Sequence, residues 1–303
     1  MLDYAALNAL AAVVREGSFD RAARALNVTP SAVSQRVKLL EERIGGALLV
    51  RASPCVATDI GLQLCRHIER VDMLEHELRD AMPALGSDHR AASRVTVRVA
   101  VNADSLATWF MAAAAGFSAE APAALLDLSV DDQDHTAERL RSGAVLAAVT
   151  ALARPVPGCN SEALGTMHYV AAASPDFMAR HFARGVGART LAAAPSLVFD
   201  RKDRLQARWV RRICHRSVET PRHWLPSPQA FVDGALAGMG WAMHPRSLVA
   251  DALREGTLVE LVPGSTLSVP LYWQQARAAP RLLERLRASV RAASRSGPHG
   301  LVA

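Results

Sequence analysis

Residues 18 to 51 read SFDRAARALNVTPSAVSQRVKLLEERIGGALLVR, and the reading of this stretch decides the N-terminal fold. Two short helical patterns meet at Asn27-Val28, and the second begins at Thr29-Pro30. Ala22, Leu26, Val33, Val37, Leu40 and Ile44 recur at helical intervals and are expected to close a small core. Ser18 and Thr29 are capping residue types, and Pro30 takes the first helical position, where its missing N–H costs nothing. The layout predicts a helix-turn-helix and therefore a DNA-binding module.

On the polar side of the second helix, Ser31, Ser34, Gln35 and Lys38 fall at i, i+3, i+4 and i+7 and project together. In a major groove Gln35 can read adenine in bidentate fashion, the hydroxyls can reach bases or phosphates, and the helix start at residues 29–32 favours a phosphate. A solvated helix face would carry the same stripe, so the flank matters. Gly45-Gly46 stops the helix, and Ala47 to Arg51 is a short apolar run ending in a cation, as a wing would be. Residues 1–58 hold seven Arg or Lys against five acids, a local net of +2 that gives phosphate binding modest support. The candidate DNA contacts are Ser18, Arg21, Thr29, Pro30, Ser31, Ser34, Gln35, Lys38 and Arg51.

The whole chain has 303 residues, half of them apolar, with a formal net charge of +6. That length supports two or three domains. The basic residues are almost all Arg, with Lys38 and Lys202 the two lysines, so the charge supports a polyanion partner only weakly. No signal-peptide pattern or membrane-length apolar stretch is visible, and a cytoplasmic protein is expected. Cys55, Cys65, Cys159 and Cys214 show neither CxxC spacing nor paired histidines, which predicts reduced thiols rather than a disulfide frame or zinc site. A redox role for Cys159 and Cys214 stays open.

Behind the wing, residues 58–82 read as one helix with Ile60, Leu64, Ile68, Val71, Leu74, Leu78 and Met82 on a narrow stripe, expected to be an interhelical dimer seam. Two copies of a helix-turn-helix on a symmetric site multiply affinity and specificity. Residues 83–93 lack periodicity and read as a hinge. From Val95 onward, short apolar runs (VTVRVAV, LLDLSV, AVLAAV, HYVAAA, SLVF, GWAMH, LVELV, VPLYW) alternate with helical segments such as 105–119, 176–183 and 230–236. Such alternation predicts an α/β fold with parallel sheets in two lobes, about 94–165 with 268–303 and about 166–267. The chain would cross between them at 166–175 or 267–273. The resulting division is 1–58 for DNA binding, 59–82 for dimerisation, 83–93 as hinge and 94–303 for effector binding.

In α/β sheets ligands sit beyond the carboxyl ends of strands, near helix N-termini that attract anions. The junctions here supply Asn102, Ser105, Asp131, Asp132, Thr150, Asp200, Ser227, Gln229 and His244. These would suit a zwitterion with a cationic tail, its α-carboxylate on the helix start at Ser105 and its ammonium or guanidinium on Asp131, Asp132 or Asp200. A capped helix or a solvated acidic turn explains each residue taken alone, and His244 reads as a packing histidine rather than a catalyst. No Ser/His/Asp context, Gly-rich phosphate loop or metal-ligand spacing supports an enzyme or a cofactor.

Residues 18–51, followed by a long helix and a two-lobed α/β domain, resemble LysR-type transcriptional regulators over essentially the full chain. Within that family, SAVSQRVKLLE, VNADSLATW, AFV and LYW resemble the ArgP/LysG subgroup of regulators of basic amino-acid metabolism and export. The resemblance implies a winged helix-turn-helix homodimer, assembled as a dimer of dimers on double-stranded promoter DNA, with a distal domain of periplasmic-binding-protein type. It further implies that a bound co-effector, lysine or arginine, changes the DNA bend and the contact with RNA polymerase at an exporter gene. Pro30, Ser31, Ser34, Gln35 and Arg51 match the DNA-contacting helix and wing. Asn102, Ser105, Asp131, Thr150, Asp200 and Ser227 match effector positions. One departure stands out: where the resemblance places an acidic residue shortly before AFV, this chain has Gln229, which leaves the choice between lysine and arginine open. The alternatives are a LysR-type regulator with another effector, a replication-origin or architectural DNA binder, and a solute-binding protein.

Overall fold

The computed structural model describes residues 2–82, 95–130, 133–142, 144–277, 279–296 and 300–302. The expected hinge at 83–93 lies outside the described residues.

The first three helices build the module that residues 18–51 announced. Helix α1 (Tyr4–Glu16) starts where the Asp3 carboxylate accepts from the Ala5 and Ala6 amides, and it ends at Gly17, whose left-handed φ of +70° suits glycine. Helix α2 (Phe19–Ala25) is capped by Ser18, which accepts from the Arg21 amide, and α3 (Pro30–Ile44) by Thr29, which accepts from Ala32. Between them Asn27 takes φ +53°, a left-handed turn that Asn tolerates better than most residues. Ala22, Val33, Val37 and Leu40 are buried beside Leu7, Leu10 and Val13 of α1. Each buried Val or Leu contributes about 1.5–3 kcal/mol. The expectation for Ile44 is corrected, since it is exposed. It occupies the last turn of α3, just before Gly45 turns left-handed at φ +79° and the chain leaves for the wing.

The wing is a short hairpin of β1 (Leu49–Val50) and β2 (Val56–Ala57). Helix α4 (Asp59–Ala81) follows, capped by Thr58. Its expected single seam is divided among three surfaces. Leu64 and Ile68, with Cys65, pack into the helix-turn-helix core. Met73, off the expected stripe, is fully buried in the core of the C-terminal part, where Glu77 also accepts from the Leu282 amide at 3.2 Å. Ile60, Leu74, Leu78 and Met82 stay exposed. One helix thus serves two cores and still leaves an apolar stripe.

The C-terminal part runs β3 (Val95–Val101), α5 (Ala103–Ala107), α6 (Phe110–Glu120), β4 (Ala124–Val130), α7 (Gln133–Ser142), β5 (Ala147–Thr150) and β6 (Cys159–Ala173). It continues with α8 (Pro175–Phe182), α9 (Ala188–Leu191), β7 (Ser196–Val198), α10 (Leu205–Cys214), β8 (Arg222–Trp224), α11 (Pro228–Leu236) and β9 (Ala242–Pro245). Helix α12 (Ala250–Glu255), β10 (Val259–Glu260), β11 (Leu267–Ala276) and α13 (Arg281–Arg295) complete it. The single helix expected over 105–119 is broken at Thr108, with φ −116° and ψ −90°.

The expectation of two all-parallel sheets is also corrected. One mixed seven-stranded sheet runs β10-β6-β11-β5-β3-β4 with β9 beside β6, and β7 with β8 form a separate parallel pair. Strands β3, β4 and β5 are parallel, whereas β6 is antiparallel to β11, β9 and β10. The reason lies in β6, which is 15 residues long. Its first part, up to Tyr169, pairs with β11, and its last part, 169–173, pairs with β9 and β10. A chain that leaves one half along β6 and returns along β11 must lay the two strands antiparallel. The half-buried, polar start of β6 (CNSEALGT) hides this in the sequence, because it lacks the apolar run of a buried strand.

Candidate ligand cavity and nucleic-acid interface

The wing and both helices that flank it are tied together by polar contacts. Glu41 of α3 accepts from the Leu48 and Leu49 amides at 2.9 and 3.4 Å. Thr58 donates its hydroxyl to the Ala47 carbonyl at 2.9 Å and accepts from the Gly61 amide at 3.2 Å. Any tilt of α4 is therefore felt at the wing.

On the outer face of α3, Ser31, Gln35 and Lys38 are exposed and Ser34 is half-buried. These four form the stripe the spacing predicts. Thr29 shares a 3.0 Å hydrogen bond with Ser31 while capping the helix. Lys38 lies 3.7 Å from Glu42 on the solvent side. Pro30 and Arg21 are exposed near the helix starts, and Ser18 is engaged as a cap. Arg51 sits over the Phe19 ring at 5.6 Å and 3.8 Å from Glu41, so the wing cation is oriented before any partner arrives.

Small-molecule sites are clefts of about 300–1,000 Å³, and the C-terminal part has a cavity of 660 Å³. Its walls come from the carboxyl ends of β3 and β5, from β6, β9 and β11, and from the loop leading into α10. Apolar walls are supplied by Val149, Phe199, Phe231, Met243, Val269 and Leu271. Three carboxylates, Asp104, Asp200 and Asp203, share the space with Lys202, Arg204 and Arg208. Asn102, Thr136, Thr150 and Tyr169 add neutral polar groups.

The carboxylates are held in place. Tyr169 donates to Asp104 Oδ2 at 2.6 Å. Asp203 accepts from the Phe199 and Leu205 amides at 3.2 and 2.9 Å, and Asp200 accepts from the Lys202 and Asp203 amides at 2.7 and 2.9 Å. Burial pushes the Asp104 carboxyl up to about 6, with the Asp203 charge adding to the push and the Tyr169 hydrogen bond opposing it. Burial likewise raises the Tyr169 phenol, with the Asp104 charge acting the same way. Oδ1 of Asn102 is buried without a hydrogen-bond partner among the described residues. The cavity thus presents both signs of charge to one small ligand.

Two family descriptions match the chain: "Bacterial regulatory helix-turn-helix protein, lysR family" over residues 4–62 and "LysR substrate binding domain" over residues 90–295. The chain belongs to the LysR family of transcriptional regulators. Among its LysR-family relatives, the transcriptional regulator ArgP of Pseudomonas aeruginosa is 46% identical over 94% of each chain. The crystal structure of ArgP from Mycobacterium tuberculosis is 43% identical with a TM-score of 0.81, covering 100% of this chain and 99% of that one. Full-length LysG from Corynebacterium glutamicum, solved with bound effector Arg, is 34% identical with a TM-score of 0.69, covering 96% and 98% of the two chains.

In this LysR-family chain the residues nominated from sequence for the effector divide into three groups. Asn102, Thr150 and Asp200 line the cavity. Ser105, Ser227, Gln229 and His244 do not. Ser105 is fully buried, with its Oγ unpartnered among the described residues, and α5, whose start was to hold a carboxylate, is only five residues long. Ser227 caps α11 by accepting from Ala230, and Gln229 donates to Asp233 at 3.2 Å on the exposed side of that helix. His244 is buried behind the wall, edge-on to Phe231 at 6.4 Å, and burial drives its pKa down to about 4. Asp131 and Asp132 lie outside the described residues.

Asp104, Tyr169, Asp203, Arg204 and Arg208 are not among the residues the sequence offered. The run DRKDRLQAR at 200–208 was the available signal, a dense mix of charges entering a helix. Tyr169 gave no signal, because its strand read as core. Burial raises the Cys65 thiol to about 11 and raises the Cys159 thiol as well, so neither of these two is activated.

Proposed function

We propose that this LysR-type regulator senses a basic amino acid, arginine or lysine, in the 660 Å³ cavity and transmits its occupancy to DNA through α4. The observation that carries the reading is that guanidiniums and half-buried carboxylates line one and the same cavity. A basic amino acid brings a carboxylate and a cationic tail, and each finds an opposite charge: Arg204 and Arg208 for the former, Asp104, Asp200 and Asp203 for the latter. The bound arginine of the related LysG supports the choice of ligand. Gln229 donates to Asp233 along its own helix and does not line the cavity.

The chain divides in this reading into a DNA-binding module over 1–58, a dimerisation helix over 59–82, a hinge over 83–93 and an effector domain over 94–303. Its two lobes, about 94–165 with 268–303 and about 166–267, close on the ligand. The exposed stripe of α4 supports a homodimer. A dimer of dimers, contact with RNA polymerase, and a basic amino-acid exporter gene as target complete the proposal. Ser31, Ser34, Gln35 and Lys38 enter the major groove, with Ser18, Arg21, Thr29 and Pro30 near the backbone and Arg51 on the wing. No helix among the described residues is long and apolar enough to cross a membrane.

The test is calorimetric. Arginine and lysine are titrated into wild type and Asp200→Asn, and a footprint on the exporter promoter is taken with and without each amino acid. Binding weakened about tenfold or more by the substitution, with a ligand-dependent footprint, is expected. Equal affinity in both proteins removes Asp200 from the site, and a footprint indifferent to both amino acids removes the sensing role.

A further inference from the structure

A second recess shares no lining residue with the effector cavity. It has a volume of 310 Å³ and is formed between α4 and the chain around β5 and β6. Arg66 and Arg70 of α4 and Arg141 of α7 line it together with Leu140 and Pro157. No carboxylate lines it among the described residues.

The three guanidiniums differ in what already neutralises them. Arg141 is paired with Glu138. Neither Arg66 nor Arg70 has a carboxylate within ion-pair distance among the described residues, and the Nε of Arg66 is buried with no hydrogen-bond partner there. The nearby Glu69 is already paired with Arg98. Burial lowers the Arg66 pKa, and Arg70 and Arg98 push in the same direction while Glu69 opposes them. Converging, incompletely paired guanidiniums repel one another, and a planar fork of donors left unsatisfied fits an oxyanion.

We propose that this recess is a binding site for a small, multiply charged phosphate-type oxyanion that clamps α4 to the effector domain. The recess takes a small anion rather than a polymer because its three guanidiniums line a single volume of 310 Å³. An ion held by Arg66, Arg70 and Arg141 relieves their repulsion and fixes the helix that carries the wing. The site is independent of the amino-acid cavity, so the failure of either proposal leaves the other standing.

Inorganic pyrophosphate, with orthophosphate as a second arm, is titrated into the full-length protein in chloride buffer and followed by calorimetry. The proteins are wild type, Arg66→Gln/Arg70→Gln, and Arg208→Gln as a probe of the other cavity. One saturable site is expected, weakened about tenfold or more in the double variant. Thermal unfolding of each variant without ligand checks that the fold is intact. Absence of saturable binding, equal affinity in the double variant, or a loss confined to Arg208→Gln overturns the assignment. Displacement of pyrophosphate by duplex DNA lacking the operator also overturns it, because the arginines would then belong to a DNA track.

Discussion

The Tyr169 hydroxyl donates a 2.6 Å hydrogen bond to Asp104 Oδ2, joining a strand that serves both halves of the effector domain to the short helix α5 that follows β3. This places a carboxyl with a pKa of about 6 in the ligand cavity. Its folded pKa lies above the ordinary value of 3.8, so the native state holds a proton that the unfolded chain has released. Stability of the unliganded protein therefore falls as pH rises from about 4 to about 6 and levels off above. Asp104→Asn removes that slope, an effect on the order of 1–2 kcal/mol after allowance for partial exposure, measured by urea unfolding at a series of pH values. Arginine affinity should rise through the same window in wild type, as the carboxylate forms, and stay flat in Asp104→Asn. A slope unchanged by the substitution assigns it to another group.

His244 gives the opposite slope. Burial holds its pKa near 4, against an ordinary 6.5, so the folded protein keeps it neutral while the unfolded chain protonates it. The stability this group leaves intact above about pH 6.5 is lost as pH falls toward 4. His244→Phe, which keeps an aromatic ring against Phe231, should lower the acid sensitivity by up to about 3 kcal/mol at pH 4 while changing neutral stability little. The urea midpoint at pH 7 and at pH 4.5 separates the outcomes, and equal acid losses in both proteins would clear His244.

Gly61 lets α4 meet the wing. A Cβ at this position would stand 2.1 Å from the Leu48 carbonyl oxygen, and backbone cannot yield cheaply there. Gly61→Ala should cost about 1–3 kcal/mol and displace the wing from α3. Operator affinity measured by fluorescence anisotropy should drop, while arginine affinity is retained because the cavity lies elsewhere. An operator affinity matching wild type contradicts the proposed coupling.

Leu74 and Leu78 project into solvent from α4 although both are large and apolar. Leu74→Glu/Leu78→Glu puts like charges on the proposed helix-pairing stripe and should turn the proposed dimer into a monomer in sedimentation equilibrium, with the far-ultraviolet spectrum unchanged. A variant that still sediments as a dimer moves the interface away from this stripe.

The local part of this architecture is legible along the chain. Ser18 and Thr29 cap the helices they precede, Pro30 begins α3, and Gly45 ends it, because caps and turns are settled by neighbours within a few residues. Ala22, Val33, Val37 and Leu40 share a face for the same reason, while Ile44 misjudges it at the end of the helix, where the periodicity no longer points at a partner. Asn102, Thr150 and Asp200 could be placed at strand ends from pattern alone.

What only the tertiary structure decided involves residues far apart in sequence. Tyr169 meets Asp104 across 65 positions, and Glu77 reaches Leu282 across 205. No periodicity encodes such meetings, because they depend on which strand pairs with which and in which direction. The length of β6 and its change of partners at Tyr169 set that direction, and with it the mixed sheet and the cavity. The division of the α4 stripe follows likewise from two cores competing for one helix. Sequence by itself determined the helix-turn-helix and the polar stripe on α3; the long-range pairing of β6 and β11 determined the cavity.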